Sequence, residues 1–239
     1  MVNYPFKPFN KHFDYGFGGY ADAFKRAADN LTLQKENKDK FLNMHLPINY
    51  LYRHAIELYL KSLVIILHRR LQLPFGPHNS ESTPHILVRQ EWVPIYRVHN
   101  INDLYQYFKN LLNEQRSAIA EYSDSDWANL PTELDSQITT IGNLDEKSTF
   151  LRYPDMKNRG NEQEKSSFQE GTIPEIFRRL APGNEYSKAF VSVDENDNIS
   201  EIYQLNNNPL VELTKALKNV ASLFEGAHLG MRVEFANGE

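Results

Sequence analysis

The sequence contains no cysteine, which excludes disulfide bonds and metal sites built on thiolates. This absence is compatible with a reducing cytosol, and we expect a soluble, cytoplasmic protein. Met1 to Phe9 is aromatic and interrupted by proline, and no basic segment there leads into an apolar run. The sequence therefore predicts no signal peptide.

Long apolar runs are also missing. The longest, Leu58 to Leu67, is interrupted by Lys61 and followed by His68, Arg69 and Arg70. A membrane-spanning helix needs roughly 20 mostly apolar residues, so this segment predicts a core helix and no membrane contact. The basic run after it is explained by the helix dipole alone, and a functional role for it is the alternative.

The chain has no excess of positive charge, with 26 Lys and Arg against 31 Asp and Glu and a net charge of -5. A protein that holds nucleic acid mainly by electrostatics is usually basic. Any contact with nucleic acid is therefore expected at a local patch. With 239 residues, of which 41% are hydrophobic, the chain can bury one sizeable core.

Apolar residues recur at helical spacing in five segments. These segments are Tyr20 to Leu31, Tyr52 to Leu67, Ile101 to Leu112, Leu134 to Ile141 and Leu210 to Phe224. The second is apolar around most of its circumference, which is typical of a helix covered by neighbours on several sides. We therefore expect a mainly α fold, an antiparallel bundle of about five helices with the second in the middle.

Helix boundaries are suggested by residues that favour helix ends. Asn100 is a good N-cap, and Pro131 and Asn208-Pro209 mark the starts of the fourth and last helices. Gly226 is a candidate for the end of the last helix.

Two insertions with small β-hairpins interrupt this pattern, at about residues 74–99 and 156–205 of a single domain over 1–239. Ile86 to Val98 predicts one or two short strands. Ala189 to Val193 and Ile199 to Tyr203 predict a hairpin around a polar turn. Met156 to Gly171 is poor in apolar residues and is predicted to be a mobile insertion.

Three charged residues form a ladder on the second helix, with Arg53, Glu57 and Lys61 at i, i+4 and i+8. Each step of four residues turns the direction by about 40°, so the three side chains follow one slanted stripe. Two interpretations remain open. The ladder is the solvated edge of a core helix, or it lines a cleft together with His54.

Two further places carry candidate site residues. His99, near Arg97, is either a proton-transfer residue or anion ligand, or a capping or core histidine. Arg152 and Tyr153 either bind a phosphate and stack on a base, or Arg152 pairs with a core carboxylate, for which Glu57 is the candidate, while Tyr153 packs.

Metal and cofactor sites have little support in the sequence. No two histidines flank an acidic residue at zinc spacing, and no Gly-Lys-Ser or Gly-Lys-Thr phosphate loop is present. Gly16-Phe17-Gly18-Gly19 is a weak look-alike of a dinucleotide-binding loop without the preceding strand. We therefore predict no metal and no cofactor.

Three segments together resemble HEPN-type domains, small helical domains of prokaryotic toxin, nucleotide-transferase-partner and phage-defence systems. Tyr50–Lys61 (YLYRHAIELYLK) is similar to the second helix of this family. His99–Leu104 (HNINDL) is similar to the start of the next helix, and Phe150–Pro154 (FLRYP) to an Arg-Tyr-Pro element after the following one. The three occur in the family's order and cover residues 20–155.

The resemblance implies an antiparallel helical bundle, commonly a homodimer, that acts on or beside RNA. Ribonucleases of this family carry an Arg followed a few residues later by a His, which assist metal-independent RNA cleavage at a dimer cleft. The resemblance implies a spacing of about four to six residues between the Arg and the His, and no Arg of this chain has a His at that spacing. Arg70 and His78 come nearest, with one intervening residue too many. The chain thus departs from the family's catalytic pattern.

Under this resemblance each candidate has a role. Arg53 and His99 are the catalytic candidates. Lys61, Arg152 and Tyr153 would bind RNA or a nucleotide. Glu57, His54 and Asn100 would support them. The alternative is a non-catalytic scaffold or partner subunit of a cognate protein, in which the same residues form a structural polar network.

Overall fold

The longest helix lies in the centre of the core. In the computed structural model, which describes residues 4–37, 42–79, 83–144, 148–154, 159–172, 174, 189–206 and 209–238, this helix, α2, spans His45–Arg70. Every side chain from Ala55 to His68 is buried, because α1, α3 and α7 all pack against it. The prediction that the second helix is covered by neighbours on several sides is confirmed.

The described residues form seven α-helices. They are α1 (Phe17–Asn37), α2 (His45–Arg70), α3 (Ile101–Glu114), α4 (Arg116–Ala120), α5 (Leu134–Leu144), α6 (Arg159–Lys165) and α7 (Val211–Phe235). The fold is mainly α, as predicted, but the number of about five helices is not confirmed. The short helices α4 and α6 were not predicted. None of the described helices is long and apolar enough to cross a membrane.

Helix α1 packs on the core with Phe24, Ala28 and Leu31 of its predicted face, but not with Tyr20. Tyr20 was assigned to its core face, yet it is 51% exposed and its ring lies 4.6 Å from that of Phe9. The fully buried apolar residues of α1 are Ala21 and Ala28, which lie about two helical turns apart on the same face. Small side chains let α1 approach α2 closely, so the contact is centred on alanine and the larger residues lie at its margin.

Two helix starts follow the predicted signals closely. The side chain of Asn100 accepts a hydrogen bond from the backbone N–H of Asp103 at 3.1 Å and caps α3. Helix α5 begins at Leu134, shortly after Pro131, and buries Leu134, Ile138 and Ile141 as predicted.

The last helix differs from its prediction at both ends. It begins at Val211, after Leu210 in a left-handed conformation with φ 55°. Gly226 does not end it, and the helix continues to Phe235. A glycine inside a helix costs about 1 kcal/mol relative to alanine. The burial of Met231 and Phe235 beyond it outweighs that cost.

Both predicted hairpins are present. Strands β1 (His85–Val88) and β2 (Glu91–Pro94) pair antiparallel, with Pro94 at the end of its strand. Strands β3 (Phe168–Glu170), β4 (Ala189–Val193) and β5 (Ile199–Leu205) form a second sheet in the order β3-β5-β4.

The polar segment predicted as a mobile insertion contains regular structure where it is described, namely α6 and β3; residues 155–158 lie outside the described residues. Polar contacts replace an apolar face here. His45 Nε2 lies 2.6 Å from the carbonyl oxygen of Lys165. Asn43 and Ser167 exchange two hydrogen bonds at 3.0 and 2.7 Å. Hydrophobic periodicity could not predict the contact between residues 165–167 and the start of α2, because hydrogen bonds and not apolar side chains form that contact.

Candidate functional site

The charged ladder of α2 is a buried ion-pair cluster. Arg53 Nη1 donates to Glu57 Oε2 at 2.9 Å, and Lys61 Nζ donates to Glu57 Oε1 at 2.7 Å. The three side chains are only 1%, 3% and 3% exposed. The interpretation of the ladder as a solvated edge is therefore wrong.

His99 completes the cluster from the start of α3. Its Nδ1 lies 3.0 Å from Glu57 Oε1, and its carbonyl oxygen accepts a hydrogen bond from Arg53 Nη2 at 2.6 Å. The imidazole is 52% exposed, so His99 is not a core histidine, and the cap of α3 comes from Asn100 instead. We call Arg53, Glu57, Lys61 and His99 the Glu57 cluster. The structure brings both predicted catalytic residues into it.

The cluster keeps its carboxylate ionised. Burial raises the pKa of the Glu57 carboxyl, but the charges of Lys61 and Arg53 and the hydrogen bond with His99 outweigh burial and hold it below its usual value. Burial lowers the pKa of the Lys61 ammonium, and Glu57 opposes that shift. The carboxylate of Glu57 therefore lies between two buried cations.

His54 lies beside the cluster but is held by other contacts. Its ring packs edge-on against Phe24 at 4.6 Å and parallel to Tyr50 at 5.8 Å. Burial lowers its pKa, Glu57 opposes this, and the positive charges of Lys61, Arg53 and Arg152 add to the lowering. His54 is therefore a neutral, packed imidazole near neutral pH.

Arg152 and Tyr153 lie on the surface. Arg152 Nε donates to the carbonyl oxygen of Ser148, and its guanidinium lies 5.5 Å from the centre of the Tyr153 ring, which is 60% exposed. Within the described residues no hydrogen bond or ion pair joins Arg152 to Glu57. The interpretation in which Arg152 pairs with that carboxylate is wrong, and Tyr153 is not packed. Arg152 is near enough to help lower the pKa of His54, which lies beside the cluster.

The basic run at the end of α2 is used for packing. His68 stacks between the rings of Phe75 at 4.3 Å and Tyr107 at 5.9 Å, and burial lowers its pKa to about 4. The Arg69 and Arg70 guanidinium groups lie over aromatic rings at 4.7 and 4.5 Å. Cation–π contacts of this kind stabilise the fold without any ligand.

A second buried polar cluster went unnoticed in the sequence. Asp14 Oδ2 accepts hydrogen bonds from Ser62 Oγ and from the backbone N–H of Gly18, both at 2.6 Å, and lies 3.7 Å from His228 Nε2. We call Asp14, Ser62 and His228 the Asp14 cluster. Burial raises the pKa of Asp14, but His228 and Ser62 outweigh burial and lower it to about 2.

The three residues of the Asp14 cluster lie far apart in the sequence, so no spacing pattern connects them. The one available signal was the group of glycines at the start of α1, Gly16, Gly18 and Gly19. A Cβ on Gly18 would lie 2.0 Å from His228 Nε2, so the glycine makes room for the histidine. In the described part of the chain, no group of three acidic or histidine side chains is arranged to hold a metal ion.

Comparison with protein families, with curated proteins and with solved structures finds no match to this chain. The resemblance to HEPN-type domains therefore stays a prediction from the three sequence segments.

Proposed function

We propose that this chain is a HEPN-like protein that binds RNA or a nucleotide at the exposed edge of the Glu57 cluster, as a homodimer in a prokaryotic cytoplasm. A toxin–antitoxin or phage-defence system, with a cognate protein partner, is the setting that the resemblance favours. One observation carries the proposal. A half-exposed imidazole, His99, is held through Nδ1 by the carboxylate of Glu57 at 3.0 Å.

This geometry suits proton transfer. Arg53 and Lys61 bind opposite oxygens of Glu57 and hold its carboxylate in place. An ionised carboxylate accepts the proton on Nδ1 of His99, which leaves Nε2 as the basic nitrogen of the neutral ring. Within the described residues Nε2 has no hydrogen-bond partner. A positioned imidazole with one free nitrogen is the commonest general base in enzymes.

The cations of the cluster act on a ligand through their charge. Arg53 and Lys61 are 1% and 3% exposed, too buried to contact a phosphate directly in this conformation. Their positive charge, in a poorly screened position, helps to hold an anion at the edge where His99 lies. The exposed pair Arg152 and Tyr153 supplies a guanidinium for phosphate and a ring for stacking a base.

With RNA as substrate, the step we propose needs no metal. His99 Nε2 takes the proton of a ribose 2′-hydroxyl while the 2′-oxygen forms a bond to phosphorus. The bond from phosphorus to the 5′-oxygen breaks, and the leaving oxygen takes a proton from solvent water. His99 then returns its proton to solvent.

The test compares His99→Ala with His78→Ala, a change of another exposed histidine, which stacks on His85 and is not a member of the cluster. Cleavage of labelled RNA and binding of RNA and mononucleotides are measured for both variants, with thermal stability as a check on folding. We expect His99→Ala to lose about 100-fold in cleavage rate, the typical contribution of a general base, and His78→Ala to behave as wild type. Wild-type protein that neither cleaves nor binds RNA or nucleotides would contradict the proposal.

A second candidate function, a non-catalytic scaffold or partner subunit, is favoured by the burial of the ladder. Both oxygens of Glu57 are occupied by groups of the protein itself, as in a structural network. In this case the wild-type protein does not cleave RNA and His99→Ala leaves RNA binding unchanged, whereas a general base at His99 requires cleavage that is lost in His99→Ala.

A further inference from the structure

A cavity of about 490 Å³ lies between the N-terminal segment, α1 and α7. Its wall includes two guanidinium groups, two imidazoles and two aromatic rings. These belong to Arg26, Arg232, His12, His228, Tyr4 and Phe9. The cavity shares no residue with the Glu57 cluster, and the function proposed above makes no use of it.

Several buried polar atoms around this cavity lack a protein partner. His228 Nε2 and His12 Nδ1 belong to residues that are 2% and 3% exposed, and among the described residues neither atom has a hydrogen bond. The nearest acceptor of His228, Asp14 Oδ2, is 3.7 Å from Nε2, which is too long for a hydrogen bond. Buried polar atoms are rarely left unpaired in native proteins. Their concentration at one cavity points to a ligand with hydrogen-bonding groups.

Two guanidinium groups at the cavity have no carboxylate bound to them among the described residues. Two carboxylates also line the cavity, but each is held elsewhere: Glu225 pairs with Lys25 at 2.9 Å, a lysine that Asp29 shares at the same distance, and Asp22 accepts a hydrogen bond from the hydroxyl of Tyr59 at 2.7 Å. Neither Arg26 nor Arg232 has an ion pair with a described residue, although Arg232 lies over the ring of Tyr4 at 3.7 Å. Both guanidinium groups can therefore bind an anion without breaking an ion pair of the described residues.

The size and the remaining wall indicate an organic ligand. Small-molecule sites have volumes of about 300–1,000 Å³, so a cavity of 490 Å³ holds far more than a bare inorganic anion. Phe9, Ala23 and Leu229 supply apolar contacts beside the charged groups. Gly18 at the start of α1 leaves the space that His228 occupies next to the cavity.

We propose that this cavity binds a small organic oxyanion of about mononucleotide size, in which the charged group is a phosphate or a carboxylate. Arg26 and Arg232 neutralise the oxyanion. His12 donates through Nε2 to the carbonyl oxygen of Lys7 at 3.1 Å, so its Nδ1 accepts a hydrogen bond from an N–H or O–H group of the ligand. This inference does not depend on the function of the Glu57 cluster.

The test is isothermal titration calorimetry of the full chain with four probes: AMP, adenosine, inorganic phosphate and benzoate. We expect AMP or benzoate to bind more tightly than inorganic phosphate, and adenosine, which has no charge, to bind at least about tenfold more weakly than AMP. Binding of AMP alone identifies a phosphate as the charged group, and binding of benzoate alone identifies a carboxylate. Binding of neither, or equal binding of adenosine and AMP, overturns the proposal.

Variants then locate the site. Arg26 is exposed, so Arg26→Gln is expected to fold and to weaken anion binding by about tenfold. Ala23→Leu, which fills part of the cavity, is expected to weaken it by a similar factor. Lys218→Gln removes the same charge from an exposed position on α7 outside the cavity and is expected to leave the affinity unchanged.

Binding at the Glu57 cluster gives a different result. If the cavity is the site, His99→Ala leaves the affinity for the anion unchanged, whether or not that variant loses RNA binding. Loss of anion binding in His99→Ala together with unchanged binding in Arg26→Gln and Ala23→Leu overturns the inference.

Discussion

Glu57 and Asp14 are both buried carboxylates with a lowered pKa, yet they are stabilised by different kinds of partner. Glu57 lies between two cations and a histidine on and beside α2. Asp14 is held by a hydroxyl and two backbone N–H groups at the start of α1, at 2.6 to 2.9 Å, with His228 nearby. In one cluster two buried cations and a histidine surround the carboxylate, whereas in the other a histidine, a hydroxyl and two backbone N–H groups surround it.

Because the partners differ, removal of each carboxylate leaves different buried groups without an acceptor. Without Glu57, two buried cations lose their counter-charge, and buried unpaired charge is among the most costly features of a folded protein. Without the charge of Asp14, neutral donors lose an acceptor, which costs much less.

The largest effect is expected for Glu57→Ala. We expect it to lower the free energy of unfolding by about 3–5 kcal/mol, because Arg53 and Lys61 remain buried and lose the carboxylate between them. Urea unfolding at neutral pH measures this change. The control is Glu212→Ala, which breaks an ion pair with Lys215 on the exposed side of α7 and should cost less than about 1 kcal/mol. A cost below 1 kcal/mol for Glu57→Ala would show that the cluster adapts to the loss of its carboxylate.

His68 extends the comparison to a buried titratable group whose hydrogen-bond partners in the described part of the chain are uncharged. Its folded-state pKa of about 4 is below the usual 6.5, so its contribution is complete above pH 6.5 and is lost as the pH falls from 6.5 to 4. The shift corresponds to about 3 kcal/mol. His68→Phe keeps a ring between Phe75 and Tyr107, and its stability should fall less steeply over that interval.

The matching measurement is urea unfolding of wild type and His68→Phe at intervals from pH 7 to pH 4. Parallel curves for the two proteins would mean that His68 takes up its proton in the folded state without cost.

Asp14→Asn probes the cluster of neutral donors. The pKa of Asp14 is lowered from 3.8 to about 2, so its contribution is present above pH 4 and is lost as the pH falls towards 2. The shift corresponds to about 2 kcal/mol at neutral pH. We expect the variant to be less stable than wild type at pH 7 and the difference to shrink between pH 4 and pH 2. If the difference in the free energy of unfolding between wild type and Asp14→Asn stayed constant from pH 7 to pH 2, the loss of stability would come from altered packing and not from the lost charge.

The smallest effect on stability is expected for His99→Ala. The imidazole is half exposed, and Glu57 keeps both of its cations when the ring is removed. We expect the free energy of unfolding to change by less than about 1 kcal/mol. A loss as large as that of Glu57→Ala would make His99 a structural member of the cluster.

Local patterns allowed correct prediction of several features. The i, i+4, i+8 spacing placed Arg53, Glu57 and Lys61 on one stripe, and Asn100 marked the start of α3. Such patterns are readable because helix geometry and capping depend on residues within a few positions of each other. The depth of burial of that stripe was not readable, because it depends on the elements packed against α2.

The amino-acid order alone was enough to define a mainly α chain with one helix covered on several sides, a charged stripe along it and two hairpins. Only packing in three dimensions brought His99 against Glu57, turned α1 onto its alanines and assembled Asp14, Ser62 and His228. The physical reason is the range of each interaction. Backbone periodicity acts over a few residues, whereas a buried charge takes its partners from whichever segments the core brings beside it.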